Sequence, residues 1–195
     1  MKSSRTWSAR AVRAAGLALA VAAIAARARD WPVFAPADGR FTVELPGQPM
    51  VERSSHWTPV GSVEMTKYWL RVADALLAVE MHDIPPVASA LISDDRILDE
   101  ARDGVLHDMN GTQLEGKSFT YHGAPAREFR YRLPGAARLE ERVLAVLVNR
   151  RLYIVAGMSR EPASDPDVAR FFASFRCWGE EEPLSAQGHI SPKKE

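Results

Sequence analysis

The stretch Val143-Leu144-Ala145-Val146-Leu147-Val148 is apolar at every position, and it decides the fold class. Neighbouring side chains of a β-strand point to opposite faces, so a continuous apolar run must be covered on both sides. The run is short and is followed at once by the turn residues Asn149-Arg150, which favours a strand over a helix. We therefore predict a central strand with packed layers above and below it.

The neighbours of this strand are indicated by alternation and by short turns. Residues 151–157 follow the turn and run back beside the central strand. On the other side, the segments 112–121 and 124–133 are joined through His122-Gly123. Within the second of them, Phe129, Tyr131 and Leu133 alternate with charged residues, which is typical of a half-buried strand.

The turn Pro134-Gly135 leads into a strand that we predict over 137–148. A loop of three residues would set two opposite-charge pairs across from each other, namely Arg130 with Glu140 and Glu128 with Arg142. A loop of four residues would instead set inward-facing side chains against outward-facing ones. Because opposite charges facing each other across strands are stabilising, we predict the loop of three.

Earlier in the chain, short intervals separate the predicted strands 31–35, 40–45, 50–57, 62–72 and 75–84. The clearest of them lies in DGRFTVELPGQP, Asp38 to Pro49, where apolar residues alternate with polar ones between an Asp-Gly turn and a Pro-Gly stop. We interpret this stretch as the first edge of the sheet. Connections as short as Ala73-Asp74 join antiparallel neighbours, so we expect a mostly antiparallel meander of about seven to nine strands.

Two helices are predicted. The first is capped by Ser93 or Asp94, ends at Asn110-Gly111, and carries an apolar stripe of Ile97, Leu98, Ala101, Val105 and Met109. Its opposite face, with Arg96, Asp99, Arg102 and Asp103, is interpreted as solvated. The second begins at Asp165-Pro166 and carries Val168, Phe171, Phe172 and Phe175 at helical spacing. With one helix on each face of the sheet, the predicted fold class is α+β, an α/β/α sandwich.

The two ends of the chain differ from its middle. Residues 1–28 carry five basic residues and no acid. Four of these bases precede the apolar run 14–26, and small residues then allow cleavage after Ala25 or Ala28. We interpret 1–28 as a signal peptide, 29–178 as a single domain and 179–195 as a disordered polar tail. The protein is therefore expected to be exported, periplasmic or extracellular, with no stable membrane span after cleavage.

Charge and cysteine content narrow the function classes. Without residues 1–28 the chain has 20 basic and 25 acidic side chains, so it lacks the basic footprint of a nucleic-acid binder. Cys177 is the single cysteine, which rules out an internal disulfide. We interpret it as a half-buried apolar residue rather than as a nucleophile.

Several landmarks resemble exported bacterial proteins of the PsbP-like (DcrB-type) superfamily. They are the segments Asp38–Gly47, Leu98–Gly104, Gly123–Phe129, Asn149–Tyr153 and Phe171–Phe175, and together they span residues 31–178. The resemblance implies an α/β/α sandwich whose members act as extrinsic subunits, assembly factors or binding modules. It supplies no catalytic residues. Ala126 stands where the family usually has a glycine, and the lipidation cysteine of DcrB-type proteins is absent.

Motifs that carry chemistry are missing from the sequence. The five histidines form no metal-ligand spacing, and there is no Gly-x-Ser-x-Gly around Ser159, no Walker loop and no Gly-x-Gly-x-x-Gly. Glu80 and His82 share a strand face and could form half of a metal site, but we interpret them as a solvated edge pair. Asp83, Asp94, Asp95 and Asp99 lack calcium-loop spacing, and helix capping accounts for most of them. We predict no enzyme, no cofactor and no catalytic or metal-binding residue.

The best candidate for a binding segment is Pro85–Ile92, a long apolar connection between sheet and helix. Its side chains Val87, Leu91 and Ile92 must either cover the core, which we favour, or form a patch for a partner. The sequence leaves two alternative hypotheses about function. The first is an exported, non-catalytic module that binds another envelope or exported protein. The alternative is a carrier of a small molecule or metal, using an apolar cleft between sheet and helix.

Overall fold

The computed structural model describes residues 31–58, 61–135 and 138–179. These ranges contain the strands β1 (Val33–Phe34), β2 (Phe41–Glu44), β3 (Met50–Thr58), β4 (Gly61–Val72), β5 (Ala75–Asp83), β6 (Thr112–Tyr121), β7 (Ala124–Arg132), β8 (Glu140–Val148), β9 (Arg151–Ser159) and β10 (Arg176–Cys177). They also contain the helices α1 (Pro86–Leu91), α2 (Asp94–Asp108) and α3 (Pro166–Ser174). The predicted signal peptide, and the predicted tail after Gly179, lie outside the described residues.

The main sheet has seven strands in the order β3-β4-β5-β9-β8-β7-β6, and every pair is antiparallel. It consists of two meanders, β3 to β5 and β6 to β9, which meet where β5 pairs with β9. Helices α1 and α2 carry the chain from β5 to the far edge strand β6. The predicted central strand is β8, whose residues Val143–Leu147 are buried, so coverage on both faces is confirmed.

Helix α2 covers one face of this sheet. Ser93 caps its N-terminus by accepting a hydrogen bond from the Arg96 amide, and Asn110 ends it with a positive φ of 47°. Its apolar stripe packs on a cluster that includes Leu98, Phe129 and Tyr131. Gly111 lies directly against the Tyr131 ring, where a Cβ would come within 2.3 Å of a ring carbon. A side chain there would push the end of the helix off the sheet.

Helix α3 and a second, three-stranded sheet cover the opposite face. The small sheet has the order β1-β2-β10. Phe41 of β2, Phe171 of α3 and Phe175 are fully buried, and the Phe41 and Phe175 rings lie 5.9 Å apart. Gly157 of β9 lets α3 approach closely, because a Cβ there would come within 2.7 Å of the Val168 side chain.

The α+β fold class, with an antiparallel meander and helices on both faces, is confirmed. The interpretation of Asp38–Pro49 as the first edge of the sheet is wrong. Strand β2 lies in the middle of the small sheet, between β1 and β10. Alternation identifies a half-buried strand but does not identify its partners, and one partner of β2 lies at the far end of the domain.

The predicted register between β7 and β8 is wrong by two residues. Arg130 lies opposite Arg142, and Arg132 lies opposite Glu140, because β8 begins at Glu140 and the connection spans 133–139. The predicted side-chain pairs nevertheless form on the diagonal, Arg130 with Glu140 at 2.6 Å and Arg142 with Glu128 at 2.7 Å. Arginine reaches a diagonal neighbour, so charge pairing does not separate registers that differ by two.

None of the helices within the described ranges is long and apolar enough to cross a membrane.

Candidate functional site

An open cleft lies between the two N-terminal helices and the main sheet. Strands β4, β5 and β9 form its floor, and α1 and α2 form its wall. It has a volume of about 550 Å³ and is lined mainly by apolar side chains, among them Val63, Ile84, Ala88, Ile92, Ile97 and Ile154. That volume is in the range of small-molecule sites, which combine apolar walls with a few convergent polar groups.

The polar groups of the floor are Glu80 and His82 of β5. His82 Nε2 lies 3.4 Å from one carboxylate oxygen of Glu80, and Lys67 Nζ lies 2.7 Å from the other. Burial would raise the pKa of Glu80, but the hydrogen bonds with His82 and Lys67 outweigh it and hold that pKa below its ordinary value. The floor therefore carries an ionised carboxylate with an imidazole beside it.

The prediction that Glu80 and His82 form a solvated edge pair is wrong. Strand β5 lies inside the sheet, between β4 and β9. The side chains of Glu80 and His82 are only 21% and 17% exposed. Sequence alternation correctly placed them on one face, but it could not show that this face would be the floor of a cleft.

The α2 wall of the cleft has no side chain at Gly104. A Cβ built at Gly104 would meet no atom within 4 Å, so the space beside it is open. Glycine inside a helix costs about 1 kcal/mol relative to alanine, so helix stability does not account for it. The carboxylates of Glu100 and Asp108, also on α2, lie at the cleft.

A buried arginine holds α2 on the sheet. Arg127 of β7 is 9% exposed and donates hydrogen bonds to Asp95 at 2.8 Å and to Asp99 at 3.1 Å. The prediction that Asp99 belongs to a solvated face is therefore incomplete, because its carboxylate is a tertiary contact. The signal was present in the sequence, since Arg127 occupies the inward phase of a strand that continues with Phe129 and Tyr131.

One part of the candidate binding segment Pro85–Ile92 covers the core, and another part forms an exposed apolar patch. Most of it forms the short helix α1, in which Ala88 is 3% exposed and lines the cleft together with Ile92. Val87 and Leu91 point away from the core and are 57% and 75% exposed. The segment is thus both a wall of the cleft and a small apolar surface beside it.

The residues considered for catalysis or metal binding are not brought together. Burial raises the pKa of the Cys177 thiol to about 12, which makes it a poor nucleophile. Ser159 is 2% exposed, and its hydroxyl has no hydrogen-bond partner among the described residues. No group of three or more histidine, cysteine or acidic side chains that could hold a metal ion occurs in the described part of the chain.

The acidic residues considered for calcium are divided between separate contacts. Asp83 forms an ion pair with Arg151 at 2.6 Å, whereas Asp95 and Asp99 bind Arg127. The side chain of His56 and all of His189 lie outside the described residues. His107, on the exposed end of α2, lies 3.3 Å from the neighbouring Asp108.

Ala126, where proteins of the PsbP-like superfamily usually have a glycine, lies in a regular part of β7. It is fully buried inside β7, opposite Phe119 and Val146. The turn that precedes it lies at His122 and Gly123, which have φ angles of 47° and 87°. The residues of this hairpin with left-handed backbone are therefore His122 and Gly123, and position 126 does not need a glycine.

Comparisons with known proteins agree with this architecture. No protein-family model matches the chain, and no curated protein does. Among solved structures, the chain is similar to cyanobacterial PsbP (CyanoP) from Synechocystis sp. PCC 6803. The TM-score is 0.52 at 12% identity, and the match covers 76% of this chain and 93% of that chain. At this identity the likeness shows the fold alone, and the PsbP-like fold implied by the sequence resemblance is confirmed.

A second structure is PA94, a protein of unknown function from Pseudomonas aeruginosa. It matches at 13% identity over 70% of this chain and 90% of that chain. Its TM-score of 0.34 is too low to support an argument about fold or function.

Proposed function

We propose that this chain is an exported, non-catalytic module that binds another protein of the cell envelope. The observation that carries the proposal is the exposed apolar surface of α1, where Leu91 is 75% and Val87 is 57% exposed. Exposed apolar side chains that lie beside a preformed cleft are typical of interaction sites. A partner that covers them with an apolar segment would remove both side chains from water.

The non-catalytic part of the proposal is supported by the chemistry of the described residues. An enzyme of this size needs a nucleophile or a general base held within hydrogen-bonding reach of a second functional group. Burial raises the pKa of the Cys177 thiol to about 12, and the Ser159 hydroxyl has no hydrogen-bond partner among the described residues, so neither is an activated nucleophile. Glu80 and His82 are a hydrogen-bonded pair, but no serine or cysteine is among the described residues that line their cleft. A defined hydrolytic or redox activity of the pure domain would contradict this part.

Site-specific crosslinking in the native host tests the interaction. A photo-crosslinking amino acid replaces Leu91 on α1 in one strain and Asp74 in a control strain. Asp74 is exposed in the turn that precedes β5, at the opposite end of this strand from α1. We expect a reproducible envelope protein to be captured at position 91 and not at position 74. Identical capture at both positions would contradict a specific surface at α1.

A second candidate function, a carrier of a small molecule, is favoured by the cleft itself. Its volume of about 550 Å³ and its apolar walls around Glu80 and His82 fit a small ligand. Ligand binding to the folded state would raise the melting temperature of the domain. A screen of metals and lipids in which no compound raises it would count against this candidate.

A further inference from the structure

We propose that the cleft between α2 and the main sheet binds a small cationic amphiphile, a molecule with an apolar body and a protonated amine. The inference rests on the carrier candidate above and gives it a ligand class. Three features of the cleft support this ligand class: the charge of its lining, the hydrogen-bonding groups of its floor and the open space beside Gly104.

The charge of the lining favours a cation. Its titratable side chains are three carboxylates, Glu80, Glu100 and Asp108, and one imidazole, His82. Neither lysine nor arginine is among the lining residues within the described part of the chain. Lys67 neutralises Glu80 from the neighbouring strand, whereas the pairs of Glu100 with Arg96 and of Asp108 with His107 are exposed to solvent. Pairs of that kind are weak, so an arriving ligand meets an excess of carboxylate.

The floor offers acceptors rather than donors. When His82 donates its Nε2 proton to Glu80, its other ring nitrogen is an acceptor. An ammonium group carries three donors and no acceptor, so it can use both the imidazole and the carboxylates. A fatty acid would bring a second anion beside Glu80 without a cation to receive it, because Lys67 is already bonded at 2.7 Å.

The apolar body is accommodated along the wall. A volume of about 550 Å³ holds roughly 18 non-hydrogen atoms, if each takes up about the 30 Å³ of a liquid water. Gly104 leaves space on α2 into which a larger side chain would project. Branched aliphatic side chains line the cleft on both sides, such as Ile97 on α2 and Ile154 on β9, and would contact an alkyl chain.

The test compares three eight-carbon ligands with different head groups: octylammonium, octan-1-ol and octanoate. Each is titrated into the isotope-labelled protein at pH 7 and low salt, and amide shifts around Gly104 and Val105 are followed by NMR. We expect octylammonium to bind about tenfold more tightly than octanoate, with octanol between them, because the head group alone alters the electrostatic complementarity. Equal affinities, or tighter binding of octanoate, would overturn the proposed ligand class.

Variants at position 104 locate the site. Gly104→Leu should fill the cleft and weaken octylammonium binding by about tenfold or more, whereas the matched control Gly104→Ala should bind nearly as well as the wild type. Alanine and leucine are both strong helix formers, so both variants are expected to fold. Unchanged binding in Gly104→Leu would place the ligand elsewhere and overturn the assignment.

The outcomes separate this inference from the functions on which it rests. Octanoate binding that is lost in Gly104→Leu would preserve a carrier function and reject only the cationic class. Absence of binding for all three ligands would reject the cleft as a site for amphiphiles. Capture of a protein partner at Leu91 would then still support the binding-module function.

Discussion

The two faces of the seven-stranded sheet are covered in different ways. On one face, α3 and the small sheet pack so closely that Phe41, Phe171 and Phe175 are fully buried and Gly157 is needed for the approach of α3. On the other, α2 is held by a buried arginine and leaves a cleft of about 550 Å³. Dense packing stabilises a fold, whereas a cleft costs stability and is retained where a molecule binds. The proposed carrier site thus lies on the face that is packed less densely.

The largest expected effect compares the cores of the two faces. Phe175→Ala removes a fully buried ring from the α3 face and should lower the free energy of unfolding by about 3–5 kcal/mol. Ile97→Ala on the α2 face should cost about 2 kcal/mol, because Ile97 already borders open space. Urea denaturation of both variants measures the difference. Equal costs would contradict the view that the two faces are packed differently.

The next effect concerns the arginine that holds α2. Arg127→Met keeps the length of the side chain but removes its hydrogen bonds to Asp95 and Asp99, and should cost about 2 kcal/mol. Arg102→Met is the matched control, because Arg102 pairs with Asp99 and Asp103 on the helix surface and should cost about 0.5 kcal/mol or less. If the control were as costly as Arg127→Met, the buried contact would not be what holds α2.

Each face also carries a glutamate whose pKa is shifted, and the two shifts are in opposite directions. On the α3 face, burial would raise the pKa of Glu128, but hydrogen bonds from Lys117 and Arg142 outweigh it and the pKa is lowered. On the α2 face, burial raises the pKa of Glu141, although Tyr131 donates a hydrogen bond to it, and nearby Glu80 raises it further. Glu128 therefore stabilises the fold when ionised, and Glu141 opposes the fold when ionised.

Glutamine variants separate the two carboxylates. Glu128→Gln should lower stability at pH 7, and this loss should shrink as the pH falls below the ordinary glutamate pKa of about 4.3 towards the folded value. Glu141→Gln should raise stability, and this gain should grow as the pH rises from about 4.3 through the higher folded value. Denaturation curves between pH 3 and 8 give both trends. Parallel trends for the two variants would reject the contrast.

The smallest effect concerns the buried hydroxyl of Ser159. Since it has no partner among the described residues, Ser159→Ala should raise the free energy of unfolding by about 1 kcal/mol. Val148→Ala, on the neighbouring strand β8, serves as a reference in which only apolar contact is lost. A clear loss of stability in Ser159→Ala would mean that the hydroxyl is hydrogen-bonded in solution.

The sequence predicts most of the secondary structure because periodicity and turn residues act locally. Ser93, Asn110 and Asp165 mark the helix ends correctly, and Val143–Leu147 is covered on both faces as its composition requires. Errors arise where distant residues decide the outcome. The pairing of β2 with β10 and the register at Arg130 depend on contacts that no local pattern encodes.

The candidate site was only partly predictable for the same reason. The sequence places Glu80 and His82 on one face and makes Pro85–Ile92 the best candidate for a binding segment, although it favours packing of that segment on the core. The cleft itself depends on the tertiary packing of α2 on the sheet, where Arg127 binds Asp95 and Asp99 and the space beside Gly104 stays open. The contact of Arg127 with α2 had a signal in the sequence. Arg127 falls on the same strand face as the inward-facing Phe129 and Tyr131, and Asp95 and Asp99 are spaced four residues apart on the predicted helix.

The pairing of β2 with β10 sets the order in which the domain can fold. The meander hairpins join residues that are close in the chain, whereas Phe41 lies opposite Cys177 and their pairing closes nearly the whole domain. Closing so long a loop carries a larger entropic cost, so the small sheet is expected to assemble late. A polypeptide that ends before Arg176, or is still being synthesised, leaves the Phe41 side of the domain incomplete. Such an unfinished chain is expected to be cut by proteases more readily than the finished one.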